Sequence, residues 1–403
     1  MMERCISLFG YAVILGLAWA MSSHRNRVPW RIVIGGTLLQ FVLALLVLKT
    51  EPGRQLFGAI GDGFTAVLGY TTEGARIVFP DAPVGHFAFR VLPTIIFVSC
   101  LMSVLYHLGV MQFIVQGFAW LMQYTLGTSG AETLSCSANI FMGQTEAPLL
   151  IRPFLPTMTL SELNAVMVGG FATIAGGVMA VYISFGVDAG HLVTASVISA
   201  PAALLIAKLM LPETESPRTR GDGPIEIPCE AANIFEAATI GASEGVKLAI
   251  NVAAMLIAFT ALVALLNGLL GLLGAQFGQQ WTIQTGFSYL FAPMAWLMGI
   301  APVDCLKAGE FLGIKMALNE FIAYQDLGHL IKTNPAALAP RTVTILTYAL
   351  CGFSNFTSIG IQIGGLGSMS PERRGDLARL GLRAMIGGTL ACNLTACVAG
   401  AIL

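Results

Sequence analysis

Six long segments of the chain contain no aspartate, glutamate, lysine or arginine, and several reach the roughly 20 apolar residues that a helix needs to span a bilayer. These segments are residues 91–131, 163–187, 189–207, 248–303, 342–371 and 384–403. Charged residues make up 11% of the whole chain, against about 25% in water-soluble domains. The sequence therefore predicts an all-α polytopic membrane protein whose surroundings are the lipid bilayer.

Charge and cysteine usage argue against nucleic acid and against bound cofactors. The net charge of −1 leaves no basic field to attract phosphates. The eight cysteines lie singly, without the CxxC or Cys/His spacing of a metal site, and we interpret them as small hydrophobic residues. No cofactor motif is present in the sequence, so no bound cofactor is expected.

The placement of basic residues predicts the topology. The first two spans, at about 6–21 and 32–48, flank a short loop that contains Arg25, Arg27 and Arg31, and such basic loops face the cytoplasm. A second basic cluster begins at Arg373 and precedes the last span. We therefore expect an even number of spans and both termini outside, in a membrane that we expect to be a bacterial inner membrane.

The chain divides into five predicted parts. An amphipathic segment at 53–80 suits an interfacial helix that precedes a third span. A segment rich in proline, glycine and charge at 212–228 is expected to be a cytoplasmic loop, followed by an interfacial helix, a scaffold span and a connecting helix. The predicted parts are 1–50, 51–128, 129–211, 212–303 and 304–403.

Two apolar segments carry polar and charged residues that a straight lipid-facing helix would not tolerate. One is 129–156, which contains Glu146, and the other is 304–330, which contains Glu320. Irregular backbone is allowed at membrane depth only where protein or a water-filled cavity surrounds it. We therefore predict that both segments are re-entrant helical hairpins.

Each predicted hairpin is followed by an apolar helix that small and hydroxyl residues interrupt, and then by a further span. The interruptions lie at 169–177 and 351–360. The basic clusters put the ends of the first hairpin inside and those of the second outside, so 129–211 and 304–403 form an inverted repeat. Such a repeat indicates the central site of a secondary transporter, although its glycines also suit close helix packing.

The polar residues of the two repeats suit a neutral solute rich in hydroxyl and amide groups. Glu146 and Glu320 fall at the hairpin tips, where a carboxylate is costly unless it is paired or hydrogen-bonded. Two interpretations stay open: ion pairs with Arg152 and Lys315, or hydrogen bonds from a substrate. The uncharged candidates are Gln144, Thr145, Asn355 and Ser358. This set fits a sugar joined to a base better than an ion or a lipid.

Four motifs closely resemble those of the concentrative nucleoside transporter family. They are Gly143-Gln144-Thr145-Glu146-Ala147-Pro148, Asn319-Glu320-Phe321, Gly352-Phe353-Ser354-Asn355-Phe356-Thr357-Ser358-Ile359-Gly360 and Pro371-Glu372-Arg373-Arg374. The resemblance implies a homotrimer whose protomers have about eight spans, two re-entrant hairpins and interfacial helices. It also implies that a transport domain moves against a scaffold in an elevator-like cycle.

The same resemblance implies a role for each candidate site residue. Residues implied to face the nucleobase are Gln144, Thr145, Glu146 and Val178. Residues implied to contact the ribose are Glu320, Phe353, Asn355 and Ser358. Val178 and Phe353 also suit an ordinary core. Gly177 falls where the family varies with purine or pyrimidine preference, and the sequence leaves that preference open.

In sodium-coupled members of the family, the ion lies between the first hairpin tip and the break in the following helix. The matching residues are Asn139, Met142, Thr173 and Ile174. Their backbone carbonyls, with the Thr173 hydroxyl, are hard oxygen donors that can replace a hydration shell. Alternatively, Asn139 only caps a hairpin helix and Thr173 bonds to its own helix. Sodium is the expected coupling ion, and a proton-coupled nucleoside symporter is the alternative.

Two other classes of protein fit the sequence less well. A channel needs no paired inverted hairpins. An intramembrane enzyme could use Glu146 and Glu320 as acid and base, but no nucleophile accompanies them. The sequence therefore predicts a nucleoside symporter and not an enzyme.

Overall fold

Helices are the regular elements of the computed structural model, which describes residues 1–80, 87–220 and 231–403. The first eight α-helices are α1 (Met2–Ala20), α2 (Trp30–Lys49), α3 (Glu51–Val78), α4 (Phe87–His107), α5 (Val110–Leu126), α6 (Gly130–Ala138), α7 (Leu160–Ala172) and α8 (Gly176–Phe185). The following ones are α9 (Ala189–Met210), α10 (Ile234–Ala275), α11 (Ile283–Leu297), α12 (Cys305–Ala317), α13 (Glu320–Thr333), α14 (Pro340–Leu350), α15 (Phe356–Met369) and α16 (Arg374–Ile402). Within the described ranges, the all-α prediction is confirmed.

Six helical stretches of the described residues are long and apolar enough to cross a membrane. They are Met2–Ala20, Trp30–Lys49, Leu160–Phe185, Ala189–Met210, Ile234–Ala275 and Pro371–Ile402. A seventh arises if α4 and α5, which meet at 76°, count as one bent span. The helices α14 and α15 have 11 and 14 residues, so each alone is shorter than the roughly 20 residues of a span. The predicted total of eight spans requires that α14 and α15 be counted together.

The segment predicted to be an interfacial helix is helical, as α3, and its location at the membrane interface stays a prediction. Thr50 caps its start by accepting a hydrogen bond from the backbone N–H of Gly53, and Pro52 lies in the first turn, where a missing N–H costs nothing. Helix α3 ends at Val78, close to the predicted end of the segment. Of the predicted loop at 212–228, residues 212–220 are irregular, and the remainder lies outside the described residues.

The first predicted hairpin has only one α-helical arm, α6. Its start carries a capping box in which Ser129 and Glu132 satisfy the first backbone N–H groups. The returning arm consists of short 3₁₀ turns at Ala147–Ile151 and Leu155–Thr157. Prolines at 148, 153 and 156 remove the N–H groups that an α-helix would need there, which explains why this arm forms 3₁₀ turns. Re-entry of the segment into the membrane stays a prediction.

The second predicted hairpin consists of two α-helices, α12 and α13. Only Leu318 and Asn319 separate them. The Asn319 side chain accepts a hydrogen bond from the Ile322 backbone N–H at 2.9 Å and so caps the start of α13. This cap places Glu320 at the first position of the helix, directly after the turn.

The two interrupted helices also form, with breaks inside the predicted stretches. Residues 173–175 separate α7 from α8, and residues 351–355 separate α14 from α15. Gly352 lies in the second break at φ +152°, a conformation that residues with a side chain rarely adopt. The sequence pattern of small and hydroxyl residues therefore located both breaks.

The two predicted basic clusters lie at the same end of the molecule. The Arg383 side chain donates to the carbonyls of Met21 and Met210, at 2.6 Å each, which brings the first loop and the end of α9 together. At the opposite end, Arg4 donates to the Leu403 carbonyl at 2.5 Å. Helices α1 and α16 therefore run antiparallel between these ends, as the predicted topology requires. Which end faces the cytoplasm stays a prediction.

Candidate functional site

Backbone hydrogen bonds join the first hairpin tip and the two helix breaks. The N–H of Gly176, at the start of α8, donates to the carbonyl of Phe141 at 2.8 Å. The N–H of Phe353, in the second break, donates to the carbonyl of Thr173 in the first break at 3.3 Å. Backbone N–H and C=O groups at the breaks lack partners within their own helices, and here they bond to one another. The two repeats meet at this junction.

Glu320 lies buried at the junction, with only 4% of its surface exposed. Its Oε1 accepts a hydrogen bond from the Tyr182 hydroxyl at 3.1 Å, and its Oε2 accepts one from the Asn355 Nδ2 at 2.9 Å. Asn355 is also the N-cap of α15, because its Oδ1 accepts from the Ser358 N–H at 2.9 Å. These bonds hold the carboxylate in one orientation and leave further lone pairs on it for other donors.

Gln144 connects the hairpin tip to α15. Its Nε2 donates to the Ser358 Oγ at 3.3 Å. Its Oε1 accepts from the Nε2 of Gln362 at 3.1 Å, and Gln362 also donates to the Met167 carbonyl at 3.1 Å. A continuous polar chain therefore runs from Tyr182 through Glu320, Asn355, Ser358 and Gln144 to Gln362.

Tyr182 and Gln362 are site residues that the sequence analysis missed. Gln362 is a fully buried amide inside the charge-free segment 342–371, and the cost of burying such a group was the signal that could have found it. Tyr182 lies one helical turn after Val178 on α8, and its ring stacks on that of Tyr324 at 4.3 Å between centroids.

The other residues predicted to contact the substrate lie around the polar chain of side chains. Val178 is buried on α8, and Phe353 is half-buried in the second break. Thr145 lies against α15, because a Cβ atom added to Gly365 would come within 2.6 Å of the Thr145 methyl group. The absence of a side chain at Gly365 is therefore what admits the hairpin tip.

Glu146 lies apart from the polar chain. It is exposed, and its Oε2 accepts a hydrogen bond from the Gly143 N–H at 2.9 Å. It lines a cavity of about 220 Å³ together with Gly177 of α8, Tyr106 of α4 and Glu244 of α10. Within the described ranges, no ion pair joins Glu146 to Arg152.

Lys315 does not form the ion pair with Glu320 that the sequence left open. Its Nζ donates to the Ala349 carbonyl at 2.8 Å, near the end of α14. A buried cation at a helix C-terminus is favourable, because unpaired carbonyls carry partial negative charge there. Lys315 therefore supports the second break, and Glu320 relies on neutral donors.

The predicted sodium residues lie between the hairpin tip and the first break. Asn139 is completely buried, and its Nδ2 donates to the Ser135 carbonyl at 3.1 Å. Among the described residues, nothing donates to the Asn139 Oδ1. Thr173 bonds through its hydroxyl to the Gly169 carbonyl at 2.9 Å, and a Cβ on Gly169 would lie 3.6 Å from the Asn139 Nδ2. Both side chains thus converge on the last turn of α7, next to Ile174 and Met142.

This donor set suits an alkali cation. A buried amide oxygen without a hydrogen-bond donor is costly unless something else coordinates it. Carbonyl and hydroxyl oxygens are the ligands that a hard cation prefers. The described residues contain no cluster of histidine, cysteine or carboxylate side chains that could hold a transition metal. Capping by Asn139 and back-bonding by Thr173 both occur, but they leave the Asn139 Oδ1 available.

Interrupted helices that meet around buried polar side chains are typical of secondary transporters. Residues 9–82 match the family profile described as "Na+ dependent nucleoside transporter N-terminus", and residues 191–400 match its C-terminal counterpart. Residues 88–189 match the profile "Gate: Nucleoside recognition". The chain belongs to the Na⁺-dependent nucleoside transporter family, which confirms the resemblance found in its motifs.

Curated relatives and solved structures agree with this assignment. Sodium/nucleoside cotransporter 1 of Mus musculus is 48% identical over 412 residues, which cover 99% of this chain and 64% of the relative. The Homo sapiens protein of that name is 46% identical with the same coverage. The chain thus spans 64% of the length of these relatives. They are transporters, as predicted, and not enzymes.

Solved structures match this chain over nearly its whole length. CNTnw in an inward-facing substrate-bound state superposes with a TM-score of 0.94 at 41% identity, covering 99% of this chain and 98% of CNTnw. A CNTnw variant in an outward-facing state gives a TM-score of 0.93 at 40% identity, covering 100% and 98% of the two chains. The fold of this chain is therefore that of the CNTnw structures.

Proposed function

We propose that the protein is a secondary active transporter that imports nucleosides together with sodium ions. The observation that carries this proposal is the polar chain at the junction of the two helix breaks. It combines an anionic acceptor, Glu320, with the neutral groups of Asn355, Ser358 and Gln144. A ribose with vicinal hydroxyls and a base with amide groups can satisfy such a set, whereas a lipid or a simple ion cannot.

In this proposal, the two ends of the nucleoside meet different elements. Ribose hydroxyls bind to Glu320, Asn355 and Ser358, with Phe353 against the sugar ring, because a carboxylate forms strong charge-assisted hydrogen bonds with hydroxyl donors. The nucleobase lies on the hairpin side of the site. Its proposed contacts are Gln144, Thr145, Glu146 and Val178.

Sodium is the proposed coupling ion, bound as cargo between Asn139, Met142, Thr173 and Ile174. The unpartnered Asn139 Oδ1 supports this choice over a proton. The ion would hold the hairpin tip against the first break, and Gln144 follows in the same tip. Ion and nucleoside would then both stabilise the same arrangement of the hairpin tip against the first break. Coupling between the two binding events requires such a shared arrangement.

The transport cycle that we propose is elevator-like alternating access in a homotrimer. The two hairpins would be re-entrant, and α14 with α15 would complete eight spans. The proposal rests on family membership and on the hydrogen bonds that join the two repeats at their breaks, so that the repeats would move as one body. Large apolar side chains remain exposed on α10, for example Ile257 at 74% and Leu272 at 71%, as a surface toward lipid or a neighbouring protomer requires.

Uptake into proteoliposomes tests the proposed function. Radiolabelled uridine and adenosine should accumulate under an inward sodium gradient, and replacing sodium by choline should abolish accumulation. Preloading with unlabelled nucleoside should drive counterflow, which a channel cannot perform. Uptake that ignores sodium and follows an inward proton gradient would instead establish the proton-coupled alternative.

A further inference from the structure

Gln362 is the innermost member of the polar chain. It lies on α15, one turn after Ser358, and none of its surface is exposed. Helix α7 of the first repeat passes so close that a Cβ added to Gly170 would lie 2.8 Å from the Gln362 Nε2 and 2.9 Å from the Gln144 Cβ. This contact leaves the two glutamine side chains little room for other rotamers.

The backbone of α7 determines which way the Gln362 amide points. The Met167 carbonyl can only accept a hydrogen bond, so the Gln362 atom 3.1 Å away must be its NH₂ group. The second hydrogen of that NH₂ group then points to Gln144, whose facing atom must be the acceptor Oε1. Both hydrogens of the Gln362 amide are used.

The orientation of the Gln362 amide also determines the hydrogen-bonding role of Ser358. Because the Gln144 Oε1 faces Gln362, the Gln144 Nε2 faces the Ser358 Oγ and donates to it. Ser358 is thereby an acceptor toward Gln144. No group in the described part of the chain accepts the Ser358 hydroxyl proton, so that proton stays available for a substrate.

We infer that Gln362 is a positioning residue that makes Ser358 a hydrogen-bond donor to one ribose hydroxyl of the nucleoside. The inference rests on the proposed function. A ribose hydroxyl both donates and accepts, and the site then offers an acceptor in Glu320 and a donor in Ser358. Without Gln362, nothing determines which end of the Gln144 amide faces Ser358, and the Gln144 carbonyl can accept the Ser358 hydroxyl proton.

The variant Gln362→Met tests this inference, since methionine has a similar shape and no amide. The KM for uridine should rise about five- to twenty-fold, as expected when a buried hydrogen bond is lost. Of 2′-deoxyuridine and 3′-deoxyuridine, the analogue that lacks the hydroxyl bound by Ser358 should show a clearly smaller rise in KM than uridine and the other analogue. Sodium half-saturation of the purified protein, measured without nucleoside, should stay unchanged.

A matched control and a second variant keep the test interpretable. Gln40 is another fully buried glutamine, on α2, where it bonds to Tyr11 and the Ile198 carbonyl, and Gln40→Met should leave the ratio of the uridine and deoxyuridine KM values unchanged. If Gln362→Met does not insert into the membrane, Gln362→Leu serves the same purpose.

A double-mutant cycle with Ser358→Ala separates positioning from a general structural effect. In the Ser358→Ala background, Gln362→Met should raise the KM for uridine by a clearly smaller factor than it does in the unmodified protein. An equal KM increase for uridine and both deoxynucleosides, or full additivity in the cycle, would overturn the inference. Failure of the unmodified protein to take up any nucleoside would instead contradict the proposed function.

Discussion

Glu320 combines deep burial with a negative charge, and two neutral donors hold it in place. Tyr182 and Asn355 each occupy one of its oxygens, and Lys315 bonds elsewhere. Hydrogen bonds to a charged group contribute about 1.5 to 3 kcal/mol each, so the carboxylate can stay buried and still attract further donors. At the residue scale, the proposed recognition of a ribose would depend on this one acceptor.

The variant Glu320→Gln should lower nucleoside transport about tenfold or more while the protein still folds, because the amide replaces one acceptor oxygen by a donor. Deoxynucleosides should be penalised less than ribonucleosides. Initial uptake rates in proteoliposomes measure the effect. Glu310→Gln is the control, since Glu310 pairs with Lys307 away from the site and its loss should leave uptake nearly unchanged. Unimpaired uptake by correctly inserted Glu320→Gln would remove Glu320 from the site.

Thr173 tests the sodium assignment at the same scale. Thr173→Val removes the hydroxyl with little change in volume, so the sodium concentration for half-maximal uptake should rise, and saturating sodium should partly restore transport. Ser358→Ala should weaken nucleoside affinity without altering the sodium requirement measured in the absence of substrate. The opposite pattern, with sodium dependence altered by Ser358→Ala and not by Thr173→Val, would contradict the assigned ion site.

At the scale of elements, the breaks in the two interrupted helices organise the site. Their positions could be predicted, because small and hydroxyl residues mark them in otherwise uniform apolar segments. The 3₁₀ form of the returning arm of the first hairpin was not predicted, although its three prolines were the signal for it. The contacts of Tyr182 with Glu320 and of Gln362 with Gln144 could not be predicted, since they join residues 138 and 218 positions apart.

Gly352→Ala should disrupt the second break. A Cβ there would lie 2.5 Å from the Cys392 Sγ and 2.7 Å from the Phe171 carbonyl oxygen, at a φ that alanine disfavours. The strain should cost roughly 1 to 3 kcal/mol, visible as a lower thermal unfolding midpoint and reduced uptake. Gly360→Ala on α15 meets open space and should not destabilise the protein. Equal midpoints for the two variants would show that the break does not need glycine.

At the scale of the whole molecule, the basic clusters and the chain ends lie at opposite ends of the helix bundle. The sequence predicted this arrangement from arginine placement alone, and the contacts of Arg383 and Arg4 agree with it. Orientation in the membrane and assembly into trimers depend on partners that a single chain does not contain. Both therefore remain predictions.

A cysteine at the exposed position Ser216 should react with a membrane-impermeant maleimide only from the cytoplasmic side. The experiment uses a background in which the native cysteines are replaced. Asn334→Cys, in the exposed loop before α14, is the matched control and should react only from outside. Labelling of Ser216→Cys from outside intact cells would reverse the orientation of every span.

Coupling of sodium binding to nucleoside binding is the central property proposed for this protein. If sodium holds the hairpin tip against the first break, purified protein should bind nucleoside more tightly in sodium than in choline, by about 5- to 150-fold for a typical coupling. Linkage requires nucleoside to raise sodium affinity by the same factor. Calorimetric titration of uridine and adenosine in the two buffers measures this ratio. Equal affinities in sodium and choline, with transport that follows a proton gradient, would contradict the account.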